Sequence, residues 1–315
     1  MSVSSVYQTY KSQLFNRYQS AGTTFRENRF EYLLVMPALI LIGLLLWVPF
    51  IRGVYMSLFN WPLLGENEWI GLGNYEFLFG WEPFWTSVRV TLIYSINTVI
   101  HMVLGVVAAL LVYHMRGIPK KLTSGAFLIS YAMPPVVTGT LWLYLVDPEF
   151  GPIMTLLVDI GILSDPIFWK SSGTAALVVV TLVAGWTFWP FVFLIVLASR
   201  EGISKTQYEV ARMYGASRLQ QTLKITLPQL KSAILVAVSL RLIWNLAKVS
   251  QPFQMTTGGP GYETSVLGLL LYRDAYFAGQ MGRAYSVGII LLLITLGAVM
   301  IFLREFERQS GEVEF

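Results

Sequence analysis

The chain has 315 residues, of which 55% are hydrophobic and only 13% are charged. Soluble globular domains carry about 25% charged residues, so this composition excludes an ordinary soluble domain and indicates a membrane protein. The chain has no cysteine and a small net charge of +4, which excludes a disulfide framework and a cysteine-ligated metal and makes the placement of charges more informative than their sum.

The first predicted element is a basic N-terminal tail, residues 1–30, which carries Lys11, Arg17, Arg26 and Arg29. The apolar run that follows is too long for the hydrophobic region of a secretory signal, and it has no evident small-residue cleavage site. We therefore expect this run to remain in the membrane as an anchor.

Residues 31–305 form the predicted transmembrane domain, followed by a short tail at residues 306–315. Backbone polar groups in lipid must be hydrogen-bonded within the protein, so a helical bundle is expected. The predicted fold class is an all-α membrane protein with six transmembrane helices, each long enough to span a bilayer. These segments are Tyr32–Ile51, Thr91–Tyr113, Leu122–Val146, Thr174–Ala198, Ser232–Pro252 and Ala284–Leu303.

Lysine and arginine fall on alternate loops, and this pattern predicts the orientation because cytoplasmic loops are rich in these residues. Basic residues lie in the N-terminal tail, in the loop with Arg116, Lys120 and Lys121, and in the loop after the fourth segment. The opposite loops carry acidic residues. We therefore expect both termini in the cytoplasm. The acidic residues are Glu66, Glu68, Glu76, Glu82, Asp147, Glu149, Asp159 and Asp165.

The loop after the fourth segment predicts a cytoplasmic helix–turn–helix at about residues 204–227. Ser204 with Gln207, and Ser217 with Gln220, have the spacing of capping boxes, so a short helix of about ten residues should begin near each serine. Gly215 stands where a left-handed terminus would end the first helix. Pro228 fits the first turn of the following helix.

Polar and aromatic residues in the fourth and fifth segments predict a solute path. Arg241, Asn245 and Lys248 lie on one face of a helix, which should face the bundle interior because charge is costly in lipid. Trp186, Thr187, Phe188, Trp189 and Phe191 surround Pro190, and aromatic rings stack on sugars. Interhelical hydrogen bonding, or snorkelling of Arg241, is the alternative for the polar stripe, and packing or an interfacial belt is the alternative for the aromatic cluster.

No sequence pattern indicates chemistry in this chain. A phosphate-binding GxxxxGK[ST] motif is absent, and GGPG at 258–261 is interpreted as a turn. His101 and His114 have no nearby sequence partner, so a metal site is not expected. No triad or paired intramembrane carboxylates are found, and we predict no catalytic residue.

The loop also matches a longer motif. Glu209, Ala211, Gly215, Ile225, Leu227 and Pro228 reproduce the pattern EAA, three residues, Gly, nine residues, Ile-x-Leu-Pro, with Val210 in place of the middle alanine. This pattern resembles the signature of inner-membrane permeases of binding-protein-dependent ABC importers. The TTGGPGYETSVLGLLLY run from Thr256 and the IGLGNYEFLF run from Ile70 resemble the carbohydrate-uptake, MalF/UgpA-like branch. The resemblance covers roughly residues 32–305.

The resemblance implies a type I importer permease in a prokaryotic cell membrane. Its expected partners are a second homologous permease, two ATPase subunits that bind ATP and Mg, and an extracellular solute-binding protein that delivers a sugar. It implies that the helix–turn–helix couples to the ATPase, with Glu209 the leading charged contact. It also places solute contacts at Thr187, Phe188, Phe191, Asn245 and Lys248. No cofactor, metal or nucleic acid is expected in this chain.

Other functions remain open from the residues alone. Arg241 and Lys248 would suit an anionic solute such as a glycerol phosphate, and a polyol is a further alternative. An ATPase-independent channel or secondary transporter also has apolar spans with a few buried charges, but it has no need of a capped basic helix–turn–helix.

Overall fold

The computed structural model describes residues 28–311. Most of the two predicted tails, residues 1–27 and 312–315, therefore lies outside the described part. Within it, five helices are long and apolar enough to cross a membrane, or six if one bent pair counts as a single span. The predicted helical class is confirmed, and the only strands among the described residues form a small hairpin, β1 (Phe59–Asn60) with β2 (Glu68–Trp69), in which Phe59 faces Trp69.

The described helices are numbered here in chain order. They are α1 (Arg29–Ile42), α2 (Val48–Met56), α3 (Gly73–Gly80), α4 (Glu82–Ser95), α5 (Asn97–Tyr113), α6 (Gly117–Ala132), α7 (Pro135–Leu145), α8 (Pro152–Asp159), α9 (Gly173–Glu201), α10 (Lys205–Met213), α11 (Arg218–Gln221), α12 (Leu227–Leu246), α13 (Ser250–Thr256), α14 (Leu267–Tyr276) and α15 (Met281–Gly311). A π turn at Gly43–Trp47 joins α1 to α2. Among the described residues, the first span up to Tyr55 forms a unit of its own, and the chain from Met56 onwards forms the second unit.

The predicted third span is bent instead of continuous. Helices α6 and α7 meet at an angle of 97°, where Met133 and Pro134 have extended backbone. A residue before proline is pushed out of the helical region, and proline has no N–H to donate. Pro134 and Pro135 therefore break the helix, whereas Pro190 lies inside the unbroken helix α9.

Other span boundaries also differ from prediction. The second span begins at Glu82, because α4 and α5 follow each other with only Ile96 between them. The fifth span ends at Leu246 instead of Pro252. The last helix runs to Gly311 and so includes residues predicted to be tail.

Helix α9 is the centre of the second unit. Half of its most apolar stretch of 18 residues is buried. The helix packs along α5, where Gly105 allows the two helices to approach closely. A Cβ at Gly105 would lie 2.6 Å from the Cβ of Val192. One cluster with α9 at its centre includes Trp169, Val180 and Leu269, and a second includes Val112, Phe193 and Leu230.

A separate cluster supports α14 and α15. Leu78, Phe84, Leu267 and Val287 are buried in it. Beside it, the Asp274 carboxylate accepts two hydrogen bonds from the Arg283 guanidinium, each 2.9 Å long. Burial raises the pKa of Asp274, and the Arg283 guanidinium opposes this rise.

Candidate functional site: a coupling element and a buried polar network

The predicted helix–turn–helix is present, and its first helix is α10. Helix α10 begins at Lys205 as predicted. The predicted capping box at Ser204 is wrong, because the Ser204 side chain makes no capping hydrogen bond. The Gln207 side chain instead accepts a hydrogen bond from Gln229. The second predicted box is confirmed: Ser217 Oγ accepts from Gln220 N, and Gln220 Oε1 accepts from Ser217 N at 2.8 Å.

Gly215 ends α10 in the predicted left-handed conformation, with φ of +79°. The Gly215 N–H bonds the Arg212 carbonyl, and the Ala216 N–H bonds the Ala211 carbonyl, both at 2.9 Å. This is the pattern of a Schellman motif, which satisfies the last carbonyls of the helix and fixes the direction of the chain after it.

The second helix of the element is not a separate short helix, contrary to the prediction. Helix α11, a π turn at Thr222–Thr226 and α12 form one continuous candidate span, Arg218–Leu246. The π turn widens the helix directly before the Leu227–Pro228 step, where proline has no N–H to donate. Motion of the turn at Gly215 would therefore reach the fifth span through helix alone.

Helix α10 is attached to three neighbouring elements by one tyrosine and one arginine. The hydroxyl groups of Tyr208 and Thr226 lie 2.9 Å apart. The Arg200 guanidinium lies 3.8 Å from the ring centroid of Tyr113 and 4.4 Å from that of Tyr208. These contacts tie α10 to the ends of α5 and α9 and to the π turn. Sequence reasoning missed Arg200, Tyr208 and Thr226, since nothing in local spacing marks their contacts.

The six motif residues differ in how exposed they are. Glu209, Gly215 and Pro228 are exposed, whereas Ala211, Ile225 and Leu227 are half-buried. The carboxylate of Glu209 is therefore accessible at the surface, and its contact with an ATPase stays a prediction.

The predicted solute-path residues are all buried or half-buried in the single chain. Thr187, Phe188 and Asn245 are buried, and Trp186, Phe191 and Lys248 are half-buried. Thr187 Oγ1 donates to the Val183 carbonyl of its own helix at 2.7 Å. Their contact with solute stays a prediction.

The aromatic members of this set pack on neighbouring helices. Trp186 packs edge-on against Trp142, with ring centroids 5.4 Å apart. Phe191 packs on Trp244 of α12 at 4.9 Å. Packing is therefore part of the role of both residues.

A buried polar network joins α5 to α12. The Arg241 guanidinium donates to Asn245 Oδ1 at 2.9 Å and to His101 Nδ1 at 3.4 Å, and the Asn245 amide donates to Thr98 Oγ1 at 2.9 Å. Arg241 is 2% exposed, so its side chain links the two helices by hydrogen bonds and does not extend to the membrane surface.

One prediction about this network is wrong, namely that Lys248 lies on the same helical face as Arg241 and Asn245. His101 finds its partners far away in sequence, and its Nε2 lies 3.1 Å from the Ala184 carbonyl oxygen. With Nδ1 accepting from Arg241, the network assigns the proton to Nε2. Lys248 lies beyond the end of α12, yet it joins the cluster because its Nζ lies 3.9 Å from the Phe188 ring centroid, and Arg241 contacts the same ring.

Metal-binding groups are not clustered in residues 28–311: this part of the chain contains no group of three or more His, Asp or Glu side chains placed to hold an ion.

Comparison with known proteins gives consistent matches. The chain is 30% identical to the sulfoquinovosyl glycerol transport system permease protein SmoG of Agrobacterium fabrum, over 86% of this chain and 88% of the relative. It is 27% identical to the trehalose/maltose transport system permease protein MalF of Thermococcus litoralis, over 89% and 94% of the two chains.

Its fold matches a chain of the bacterial alginate ABC transporter in complex with an alginate pentasaccharide-bound periplasmic protein, with a TM-score of 0.80, 20% identity and coverage of 91% and 97%. A family model described as binding-protein-dependent transport system inner membrane component matches residues 101–307. The chain therefore belongs to this family of membrane-spanning ABC transporter permeases.

Proposed function

We propose that this chain is one of two homologous permeases of an ATP-driven importer that moves a sugar delivered by an extracellular solute-binding protein. Two separate ATPase subunits bind ATP and Mg, and the chain itself contributes no catalytic residue. The membrane is the prokaryotic cell membrane, with both termini and α10 on the cytoplasmic side.

The observation that carries this proposal is the attachment of α10. The helix–turn–helix is held rigid by the Schellman motif at Gly215, the capping box at Ser217 and the Tyr208–Thr226 hydrogen bond. A loop that flexed would absorb the displacement that an ATPase imposes. Because α11, the π turn and α12 form one continuous helix, a displacement of the Gly215 turn would be delivered to Arg241 and Asn245.

Two observations support a sugar as the solute. The relatives and the structural neighbour named above transport sugars, a sugar derivative or a polysaccharide, as their names state. In addition, Tyr94 Oη and the Asn97 amide are buried and have no hydrogen-bond partner among the described residues, on the span that carries Thr98 and His101. Sugar hydroxyls are suitable partners for such groups when the helices separate.

Purification from the native host tests the proposal. A tagged chain should bring down a second permease and an ATPase, and proteoliposomes of this complex should take up solute only with ATP and the binding protein. Glu209→Lys should leave the permease in the membrane but abolish ATP-driven uptake, whereas Glu149→Lys in the opposite loop should not. Uptake that continued without the ATPase would instead indicate a channel or secondary transporter.

A specific observation favours an anionic solute as a second candidate. Arg241 and Lys248 share the Phe188 ring, and within the described residues neither forms an ion pair with a carboxylate. Two cations without a counter-ion in a bundle interior are costly, and a carboxylate or phosphate on the solute would compensate them.

Competition assays separate the two candidates. If the solute is anionic, Lys248→Gln should weaken uptake of acidic sugars or glycerol phosphates more than uptake of neutral sugars. Lys231→Gln, at an exposed position of the fifth span, is the control. Equal effects on acidic and neutral solutes would assign Lys248 a structural role.

A further inference from the structure

A second concave site lies beside α10, away from the proposed solute path. It is a cleft of about 480 Å³ between α10, the loop after α5, the end of α9 and the start of the fifth span. Its lining carries five cations and a single carboxylate, that of Glu209. The five cations are Arg116, Arg200, Lys205, Arg212 and Arg218.

Arg200 is the fixed member of this set. It is only 5% exposed, and the rings of Tyr113 and Tyr208 hold its guanidinium in place. Its Nη1 is buried and has no hydrogen-bond partner within residues 28–311. A buried donor without an acceptor is costly, so this nitrogen indicates an acceptor that the chain alone does not supply.

The nearest acidic residue in sequence does not compensate Arg200. The Glu201 carboxylate forms an ion pair with Lys120. No ion pair within the described part of the chain involves Arg200 or any other cation of the cleft. The cleft therefore has an excess of positive charge and a preorganised guanidinium with an unused donor.

We propose that this cleft binds a phosphate group, carried by an anionic phospholipid or by free inorganic phosphate. Guanidinium groups match phosphate oxygens in geometry and charge, and several arginines can share one phosphate. Arg200 is the anchor, and the exposed Arg212 and Arg218 complete the site from either side of the Gly215 turn. A phosphate bound there links α10 to the start of the fifth span and stiffens the coupling element.

The test uses the full chain, with the partners that co-purify, in nanodiscs of phosphatidylcholine alone or with added phosphatidylglycerol. A second arm titrates inorganic phosphate into the phosphatidylcholine discs. The readouts are the thermal unfolding midpoint and, by native mass spectrometry, the number of phosphatidylglycerol molecules retained. A response to phosphatidylglycerol alone identifies a lipid headgroup, and a response to inorganic phosphate identifies the free anion.

Arg212→Gln and Arg218→Gln test the site in variants that keep the buried Arg200. Each should weaken the response by roughly fivefold at low salt. Lys121→Gln removes an exposed cation that does not line the cleft, and it should respond like the wild type.

Two results would overturn the proposal. One is a wild-type protein that responds to neither probe, or arginine variants whose response equals that of the wild type. The other is arginine variants that lose the ATPase during purification while phosphatidylglycerol and phosphate remain without effect, which would show that the cleft receives an acidic side chain of that partner.

Discussion

The hydroxyl of Tyr208 on α10 lies 2.9 Å from the hydroxyl of Thr226 in the π turn of the fifth span. The same tyrosine ring stacks on Arg200 at the end of α9. One side chain therefore connects the proposed contact surface for the ATPase to two membrane helices. This connection makes Tyr208 the residue at which transmission of motion should be most sensitive.

Tyr208→Phe should lower the ratio of solute transported to ATP hydrolysed modestly, because it removes one hydrogen bond worth about 1 kcal/mol and keeps the ring on Arg200. Tyr208→Leu should lower this ratio further, because the cation–π contact is lost as well. Both rates are measured in proteoliposomes. A transport-to-hydrolysis ratio equal to that of the wild type in both variants would contradict the role of Tyr208.

Thr226→Val removes the same hydrogen bond from its other side and provides a double-mutant cycle. Thr226→Val also removes the hydrogen bond of Thr226 Oγ1 to the Gln221 carbonyl, 3.4 Å long. Tyr208→Phe combined with Thr226→Val should therefore be no worse than Thr226→Val alone. Additive losses would show that the two hydroxyls act independently.

Gly215→Ala should reduce coupling without preventing membrane insertion. A residue with a Cβ is strained by about 1–2 kcal/mol at positive φ, so the direction of the chain after α10 would change. Gly297→Ala is the matched control, because Gly297 lies within α15 with no atom within 4 Å of an added Cβ. Coupling that is the same in both variants would show that the turn at Gly215 is not required.

The sequence predicts features that depend on one segment at a time. Gly215 and the Ser217–Gln220 box are recognisable because residue type and spacing determine the local backbone. The six apolar segments are recognisable because bilayer thickness sets their length.

Features that depend on distant contacts are not predictable in this way. The Ser204 box fails because Gln207 finds Gln229 on another helix. The contacts of His101 could not be predicted because its partners, Ala184 and Arg241, are 83 and 140 positions away in sequence. The early end of α12 at Leu246 separates Lys248 from the helical stripe, although an unbroken apolar pattern suggested otherwise.

Asn245→Ala should reduce the amount of folded protein as well as transport, which differs from the expectation for a residue that only contacts solute. Asn245 is 1% exposed and bonds both Arg241 and Thr98, so its removal leaves buried donors and acceptors unpaired, at a cost of about 1–3 kcal/mol. Abundance in membranes and uptake kinetics should be measured together. An unchanged abundance with a raised KM would instead favour direct solute contact.

Gly105→Leu should prevent normal packing of α5 on α9, because the side chain would occupy the space of Val192 and Phe193. We expect a strongly lowered unfolding temperature and little membrane-inserted protein. Gly125→Leu, at a helical glycine with open space around it, should be tolerated. Comparable abundance of the two variants would contradict the close approach of α5 and α9.

Arg283→Leu should destabilise the packing of α14 on α15 in a pH-dependent manner. Removing one partner of a buried ion pair costs about 3–5 kcal/mol, because the other charge remains buried. Burial already raises the pKa of Asp274, and without Arg283 this pKa rises further above its unfolded value of about 3.9. The contribution of a carboxyl group with a raised folded pKa is fully present below the unfolded pKa and is lost as pH rises through the folded pKa. The variant should therefore approach wild-type stability in acid and fall behind as pH increases towards neutral.

Unfolding midpoints across this range measure the effect, and Asp274→Asn in the Arg283→Leu background is the control that should abolish the added pH dependence. A penalty of constant size at every pH would show that Arg283 stabilises this region through its contacts with Phe77 and Trp81 and not through the carboxylate.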